Sequence, residues 1–250
     1  MMRIDVITLF PEIFTAITES GITSRAKKRG LWSIERWNPR DVTEDNHRTV
    51  DDRPFGGGPG MVMMAEPLKR TLDLIRTSGN RGRVISFAPN GTRLTDEKVR
   101  EWVASGDDLV MVCGRYEGID QRFLDHYVDE TVSIGDFVLS GGELPAMVLI
   151  DAIVRQIPGA IKELSHLDES FSTGLLDAPH YTRPEVWEEV RVPEVLLSGH
   201  HANINKWTRE QSLDLTAKTR PDLVEKARRE GKLTKADEKW LRENAQPLKK

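Results

Sequence analysis

The stretch Ser133-Ile134-Gly135-Asp136-Phe137-Val138-Leu139-Ser140-Gly141-Gly142-Glu143-Leu144-Pro145 carries the strongest information about the fold. Its glycine pair, Gly141-Gly142, directly precedes residues 143–157. The composition of that segment predicts an apolar helix that ends at Pro158-Gly159. Apolar side chains cover most of this helix, so we expect it to be buried rather than amphipathic. Two more glycine-bearing turns, at 88–91 and 114–118, each follow a short apolar run.

The segments before this stretch alternate between strand and helix patterns. Short strands are predicted at 4–9, 31–37, 84–87 and 109–113, with intervening helices such as 67–76. This alternation favours an α/β fold with a largely parallel sheet. In such sheets ligands bind beyond the carboxyl ends of the strands, and glycine lets the backbone approach a ligand closely. The three glycine turns together therefore predict a ligand pocket at that edge.

The charge of the chain is unevenly distributed. The net charge is −4, but residues 200–250 hold thirteen Lys and Arg against eight Asp and Glu. A surface for a polyanion and a solvated helical face fit this local charge equally well. No stretch approaches the roughly 20 apolar residues of a membrane span, and the N-terminus lacks the pattern of a signal peptide. With Cys113 as the single cysteine, we expect a cytoplasmic protein.

The absence of several short motifs argues against some ligand classes. The chain has neither the dinucleotide fingerprint G-x-G-x-x-G nor the phosphate loop G-x-x-x-x-G-K-[ST]. No His or Cys pair has the spacing of zinc ligands, and no metal ligand is predicted. His200 and His201 are adjacent, which favours surface or capping roles, and Cys113 ends a strand, where a buried structural thiol is expected. Composition and spacing leave the identity of the ligand open.

Longer motifs carry a resemblance to a known family. They are the stretch quoted above, Arg48-Thr49-Val50-Asp51-Asp52-Arg53-Pro54-Phe55-Gly56-Gly57-Gly58-Pro59-Gly60-Met61, Val112-Cys113-Gly114-Arg115-Tyr116-Glu117-Gly118-Ile119-Asp120, Pro179-His180-Tyr181-Thr182-Arg183-Pro184 and Val195-Leu196-Leu197-Ser198-Gly199-His200-His201. These segments closely resemble motifs of the bacterial tRNA (guanine-N1)-methyltransferase family, TrmD. The resemblance runs from about residue 2 to 225, and the motifs are long enough to be specific.

The resemblance implies a fold and a domain organisation. The family belongs to the SPOUT class of α/β proteins, whose parallel sheet ends in a deep trefoil knot, here at about 86–157. It implies a cofactor-binding methyltransferase domain at 1–162, an interdomain linker at 163–177, and a small all-α, tRNA-binding domain at 178–250.

The resemblance also implies a reaction: transfer of methyl from S-adenosylmethionine to N1 of guanosine 37, which lies 3′ of the anticodon. The cofactor site maps onto the three glycine turns. Its residues are Phe87, Ala88, Pro89, Gly114, Tyr116, Glu117, Ile134, Gly135, Asp136, Phe137, Val138, Leu139, Gly141, Gly142 and Pro145. Backbone groups of the 134–139 segment would read the adenine edge. Glu117 is suited to face the positive sulfonium.

The reaction needs a general base, because guanine N1 carries a proton at neutral pH. It also needs a cation, because negative charge builds on O6 when that proton is removed. The family uses an Asp just before Ser-Phe in the linker as the base. This chain has Glu169 there, preceded by Asp168, so Glu169 is the favoured base and Asp168 the alternative. Arg155 matches the family's cation for O6, although an ion pair with Asp151, four residues earlier, would also explain it.

The family's partners are implied as well. It works as a homodimer in which the linker base of one subunit faces the cofactor of the other, and it uses Mg²⁺ for activity. The basic C-terminal helices would grip the tRNA anticodon arm through phosphates. Candidates for RNA contact are His180, Tyr181, Arg183 and Lys206.

Three alternatives stay open at this stage. Another SPOUT RNA methyltransferase, acting for example on a ribose 2′-OH, would lack the linker carboxylate. A nucleotide-linked oxidoreductase is disfavoured by the missing G-x-G-x-x-G, and a non-catalytic RNA-binding protein is disfavoured by the intact cofactor loops. Binding of NAD would favour the oxidoreductase, and failure to bind S-adenosylmethionine would favour the RNA-binding protein.

Overall fold

A computed structural model describes residues 1–161 and 169–244 of the chain. The chain divides into two compact units, Met1–Ile161 and Lys162–Lys250. Within the described residues, no helix combines the length and the apolar character that a membrane crossing requires.

The first unit is built on a five-stranded sheet in which all neighbouring strands are parallel. Its strands are β1 (Met2–Ile7), β2 (Trp32–Trp37), β5 (Arg83–Arg93), β6 (Leu109–Val112) and β7 (Glu130–Ser133). Their spatial order is β2-β1-β6-β5-β7. The prediction of an α/β fold with a central parallel sheet is therefore confirmed. A small antiparallel pair, β3 (Asp51–Asp52) and β4 (Val62–Met63), precedes β5.

Helices cover both faces of the sheet. They are α1 (Thr15–Thr18), α2 (Gly21–Lys28), α3 (Ala65–Thr77), α4 (Asp96–Ser105), α5 (Gln121–Tyr127) and α6 (Glu143–Gln156), with 3₁₀ turns at Pro11–Phe14 and Pro39–Val42. Strand β6 is buried along its whole length, and two apolar clusters flank the sheet. Thr95 caps α4 by accepting from the Lys98 amide, as its position before two acidic residues predicts.

Helix α6 corrects one prediction. Its buried residues include Leu149, Ile150 and Ile153, but Leu144 is 51% and Val148 48% exposed within the chain. The helix is therefore buried on one side only, and an apolar stripe remains on the other. Residues i, i+4, i+7 and i+11 share a helix face, so Asp151 and Arg155 lie on the same face as Leu144 and Val148.

The second unit is mainly helical. Its helices are α7 (Glu194–Leu197), α8 (His201–Thr219), α9 (Pro221–Arg229) and α10 (Lys235–Asn244). A short hairpin of β8 (Val186–Trp187) and β9 (Val190–Arg191) departs from the prediction of an all-α domain. The turn Glu188-Glu189 has positive φ at both residues, as hairpins of this kind need, but it lacks the usual Asn or Gly signal.

Residues 169–178, most of which the sequence places in a linker, pack within this second unit. Leu175 is buried in the same apolar cluster as Leu213 and Val224. The Leu176 amide donates to Thr216 Oγ1, and the Leu176 carbonyl accepts from Ser212 Oγ.

Candidate active site

A pocket lies where the carboxyl ends of β5, β6 and β7 meet, and its volume is about 580 Å³. The loops 88–90, 114–119 and 134–142 form its walls. The structure brings to this pocket fourteen of the fifteen residues that the resemblance assigns to the cofactor; Asp136 is not among the lining residues. The glycine turns that the sequence analysis singled out therefore do converge, as parallel strands require.

Gly142 of the third loop allows a close crossing of chain segments. After β7 the chain returns to the end of β6, where the Gly142 amide donates to the Gly114 carbonyl at 2.9 Å. A Cβ at Gly142 would lie 2.8 Å from Cys113 Cα, which is backbone and cannot yield cheaply. At Gly135 φ is +153°, and a Cβ there would meet the ring of Phe137. Glycine at 142 therefore lets the loop pass close to the backbone at the end of β6, and glycine at 135 leaves room for the Phe137 ring within the loop.

An irregularity within β5, at residues 88–91, also makes a close approach. Strand β5 pairs with β7 up to Phe87 and again from Thr92, so the intervening residues protrude from the ladder. A Cβ at Gly91 would lie 2.6 Å from the backbone of Thr131 and Val132. This segment therefore crosses directly over β7 at the pocket's edge.

Tyr116 and Glu117 connect the pocket to the glycine-rich loop at 53–60. Tyr116 has φ of 58°, and its hydroxyl accepts from Arg40 Nη2 at 3.3 Å. Burial and a hydrogen bond with Asp51 raise the pKa of Tyr116. The Glu117 amide donates to the Met61 carbonyl at 2.9 Å, and a Cβ at Gly60 would clash with the Glu117 side chain. The 53–60 loop thus reaches one wall of the pocket.

Part of the pocket lining was not predicted from the sequence. The additional residues are Ser86, Asn90, Arg115, Gly118, Ile119, Gln121, Leu124, Asp125, Val128, Asp129, Glu130, Thr131, Val132, Ser133 and Ser140. Helix α5 contributes a polar pair, in which Gln121 Nε2 donates to Asp125 Oδ1 at 2.7 Å. The sequence did contain a signal for the lining residues of α5, because this helix begins shortly after the second glycine turn.

The catalytic candidates are separated from the pocket along the chain. Arg155 lies in the last turn of α6, half-buried, and is not among the described residues that line the pocket. It is thirteen residues beyond Gly142, which corresponds to about 20 Å at 1.5 Å per residue. Glu169 belongs to the second unit, where its carbonyl accepts from the hydroxyl of Ser172 at 2.6 Å. Asp168 lies outside the described residues.

The candidates for RNA contact all lie in the second unit. His180 is exposed, and its Nε2 is 2.8 Å from Asp177 Oδ2. The Tyr181 ring is half-exposed and lies 6.2 Å from that of Trp207. Arg183 and Lys206 are exposed. Tyr181 and Arg183 line a cleft together with the hydrophobic side chains of Val192, Leu196 and Leu197.

The structure also bears on metal binding. Among residues 1–161 and 169–244, no group of three or more His, Cys, Asp or Glu side chains is arranged to hold a metal ion. Cys113 is buried at the end of β6, and burial raises the pKa of its thiol, with a further contribution from nearby Glu143. This matches the expectation of a structural cysteine.

The fold and the pocket together define a class: an α/β protein with a pocket between glycine-rich loops at the carboxyl edge of a parallel sheet. Comparison with known proteins narrows this class, because the family model described as tRNA (Guanine-1)-methyltransferase TrmD matches residues 2–226. The chain belongs to this family.

Two relatives show how close the similarity is. The tRNA (guanine-N(1)-)-methyltransferase of Herminiimonas arsenicoxydans is 57% identical over 246 residues, covering 96% of this chain and 99% of that protein. The protein of the same name from Cupriavidus taiwanensis is also 57% identical, over 248 residues, covering 97% and 95% respectively. The resemblance found in the sequence motifs is confirmed.

Proposed function

We propose that this protein transfers a methyl group from S-adenosylmethionine to N1 of guanosine 37 in tRNA. The observation that carries the proposal is the pocket, whose lining includes fourteen residues assigned to the cofactor by the family's motifs. The high identity to relatives named tRNA (guanine-N(1)-)-methyltransferase over nearly the whole chain supports the same reaction.

The pocket fits S-adenosylmethionine in size and chemistry. Its volume of about 580 Å³ falls within the usual range for sites of drug-sized ligands, about 300–1,000 Å³. Residues of the 134–139 segment line the pocket and are suited to recognise the adenine edge, while Glu117 supplies a carboxylate for a cationic ligand. When bound, S-adenosylmethionine supplies an electrophilic methyl group.

The path of the chain supports a SPOUT knot at about 86–157. After β7 the chain crosses back past the end of the neighbouring strand β5 and reaches Gly114 at the end of β6, where α6 begins. Residues 88–91 meanwhile protrude over β7. We accordingly assign 1–162 as the cofactor domain, 163–177 as the linker and 178–250 as the tRNA-binding domain.

Helix α6 supports a homodimer with a shared active site. Leu144 and Val148 form an exposed apolar stripe, which is a surface that a second subunit can cover. Arg155 lies on the same face, about 20 Å from the pocket end of the helix. It therefore serves a pocket only if that pocket belongs to the other subunit.

Glu169 and Arg155 divide the chemistry at the target base. The Glu169 carboxylate, in the place of the family's Asp, accepts the proton of guanine N1. The guanidinium of Arg155 stabilises the charge that develops on O6. Asp168 is the alternative base. The residues that line the pocket would hold S-adenosylmethionine, which would supply its methyl group to the deprotonated nitrogen.

The second unit is assigned to the tRNA anticodon arm. The exposed Arg183 and Lys206 are suited to phosphates, and Tyr181 is suited to stack on an unpaired base. His180 directly precedes Tyr181 in the sequence. Mg²⁺ is assigned to the reaction on family grounds, and Glu117 is one of the carboxylates that line the pocket. The cytoplasm, where tRNA is found, is the expected compartment.

The experiment is transfer of labelled methyl from S-adenosylmethionine to two matched tRNA transcripts, one with guanosine and one with adenosine at position 37. Label in the guanosine transcript alone, recovered as 1-methylguanosine after nuclease digestion, is expected. Label in both transcripts would indicate another SPOUT methyltransferase. Label in neither, with folded protein and Mg²⁺ present, would contradict the proposal.

A further inference from the structure

An ion pair joins Arg115, which lines the pocket, to the buried Glu143, and no role has been assigned to this pair so far. Glu143, the first residue of α6, is 1% exposed. Its Oε2 is 2.9 Å from Arg115 Nε, and its Oε1 accepts from Thr8 Oγ1 at 2.9 Å. Neither Nε nor Oε2 has an aligned hydrogen-bond partner among the described residues, so the approach is an ion contact. A buried carboxylate is retained only where such partners compensate it.

Arg115 is held from several sides. Its guanidinium carbon lies 4.4 Å from the centre of the Phe10 ring, and its Nη1 donates to the Ser140 carbonyl at 3.3 Å. A Cβ at Gly141 would lie 2.6 Å from both Arg115 Cδ and Glu143 Oε2. The third pocket loop therefore rests directly on the ion pair.

We propose that the Arg115–Glu143 pair is a positioning device for the cofactor pocket, an inference that rests on the proposed function. The pair joins three segments: Thr8 after β1, the loop that follows β6, and the start of α6. Two of these segments carry pocket walls, at 114–119 and 134–142. Breaking the pair lets the two loops move apart, which weakens cofactor binding before it disrupts the fold.

The test compares Arg115→Gln, Glu143→Gln and the double variant. Glu143→Gln keeps the volume of the side chain and an oxygen for Thr8, but removes the charge that faces Arg115. Calorimetry with S-adenosylhomocysteine, on full-length protein well below its Tm, measures cofactor-site affinity without turnover. Each single variant is expected to raise Kd about tenfold. The double variant should be no weaker than the weaker single, because both changes remove one interaction.

Two further measurements separate positioning from general damage. Glu66→Gln removes an exposed ion pair with Arg70 in the same unit and should leave Kd unchanged. The affinity of each variant for tRNA should stay within about twofold, because the assigned RNA contacts lie elsewhere. Arg115→Lys keeps the charge but loses the planar group over Phe10, so it should restore only part of the affinity.

The inference is overturned if folded single variants bind S-adenosylhomocysteine as the unmodified protein does. It is equally overturned if the losses add in the double variant, or if tRNA affinity falls in parallel. Failure of the unmodified protein itself to bind S-adenosylhomocysteine is a different result, because it contradicts the proposed function.

Discussion

Gly142→Ala tests the close crossing of the third pocket loop over the end of β6. At Gly142 φ is −80°, so alanine meets no backbone strain and the effect is steric. The new Cβ would lie 2.8 Å from Cys113 Cα and 3.0 Å from the Gly114 amide nitrogen, against an optimal carbon contact of about 3.5–4.0 Å. The loop has to move by roughly 0.7–1.2 Å, which stretches the 2.9 Å hydrogen bond from the Gly142 amide.

The cost follows from these two effects. Overpacking typically costs about 1–3 kcal/mol, and a weakened hydrogen bond adds about 0.5–1.5 kcal/mol. A total near 2.5 kcal/mol lowers Tm by about 5–10 °C for a unit of this size. If about 1.4 kcal/mol of it appears as displacement of the pocket wall, the Kd for S-adenosylhomocysteine rises about tenfold. Differential scanning fluorimetry gives Tm, and calorimetry gives Kd.

Gly30→Ala is the matched control. Gly30 follows α2, away from the pocket, and has φ of 73°; a Cβ at this position would have no other atom within 4 Å. Alanine there costs about 1–2 kcal/mol through backbone strain alone, so Tm should fall while Kd stays unchanged. If Gly142→Ala matched the unmodified protein in both Tm and Kd, the steric reasoning would be refuted.

Three further predictions concern other sites. Asp237 is buried; burial opposes its ionisation, but hydrogen bonds from Arg209 and Thr234 outweigh this and lower its pKa. Its contribution to stability is therefore present above the unfolded pKa of about 3.9 and lost as pH falls through the folded value. Asp237→Asn should cost about 3 kcal/mol in urea unfolding at pH 7, and a smaller difference at pH 7 than near pH 3 would contradict this account. Cys113, with its raised pKa, should react with a thiol reagent at pH 8 only after denaturation, so rapid labelling of the folded protein would be unexpected. Arg183→Gln should weaken tRNA binding and reduce its salt dependence by about one unit of slope, without changing affinity for S-adenosylhomocysteine.

Much of the first unit was predictable because its signals are local. Thr95 and the acidic residues after it mark the start of α4, and the apolar runs mark the parallel strands. Glycine turns after those runs indicate the pocket, since parallel strands bring their carboxyl ends to one edge. These predictions need no knowledge of which strands are neighbours.

What could not be predicted depends on contacts between distant segments. The placement of β5 between β6 and β7 follows from long-range packing, as does the continuation of β5 to Arg93. The exposure of Leu144 and Val148 is invisible in a helix whose composition is apolar nearly throughout. The role of Glu143 was hidden for the same reason, because its partners Arg115 and Thr8 are far apart in sequence.

The length of α6, which separates Arg155 from the pocket of its own chain, has a consequence for dimers that contain two different variants. If Glu169 and Arg155 serve the pocket of the other subunit, two impaired variants can complement each other. In a mixed dimer of Gly142→Ala and Glu169→Gln chains, one centre combines an intact pocket with an intact base. Random exchange of equal amounts, assayed at an S-adenosylmethionine concentration well below the Kd of the Gly142→Ala pocket, should restore about one quarter of the unmodified activity in such a symmetric dimer. A site completed within one chain would leave every mixed dimer impaired at both centres.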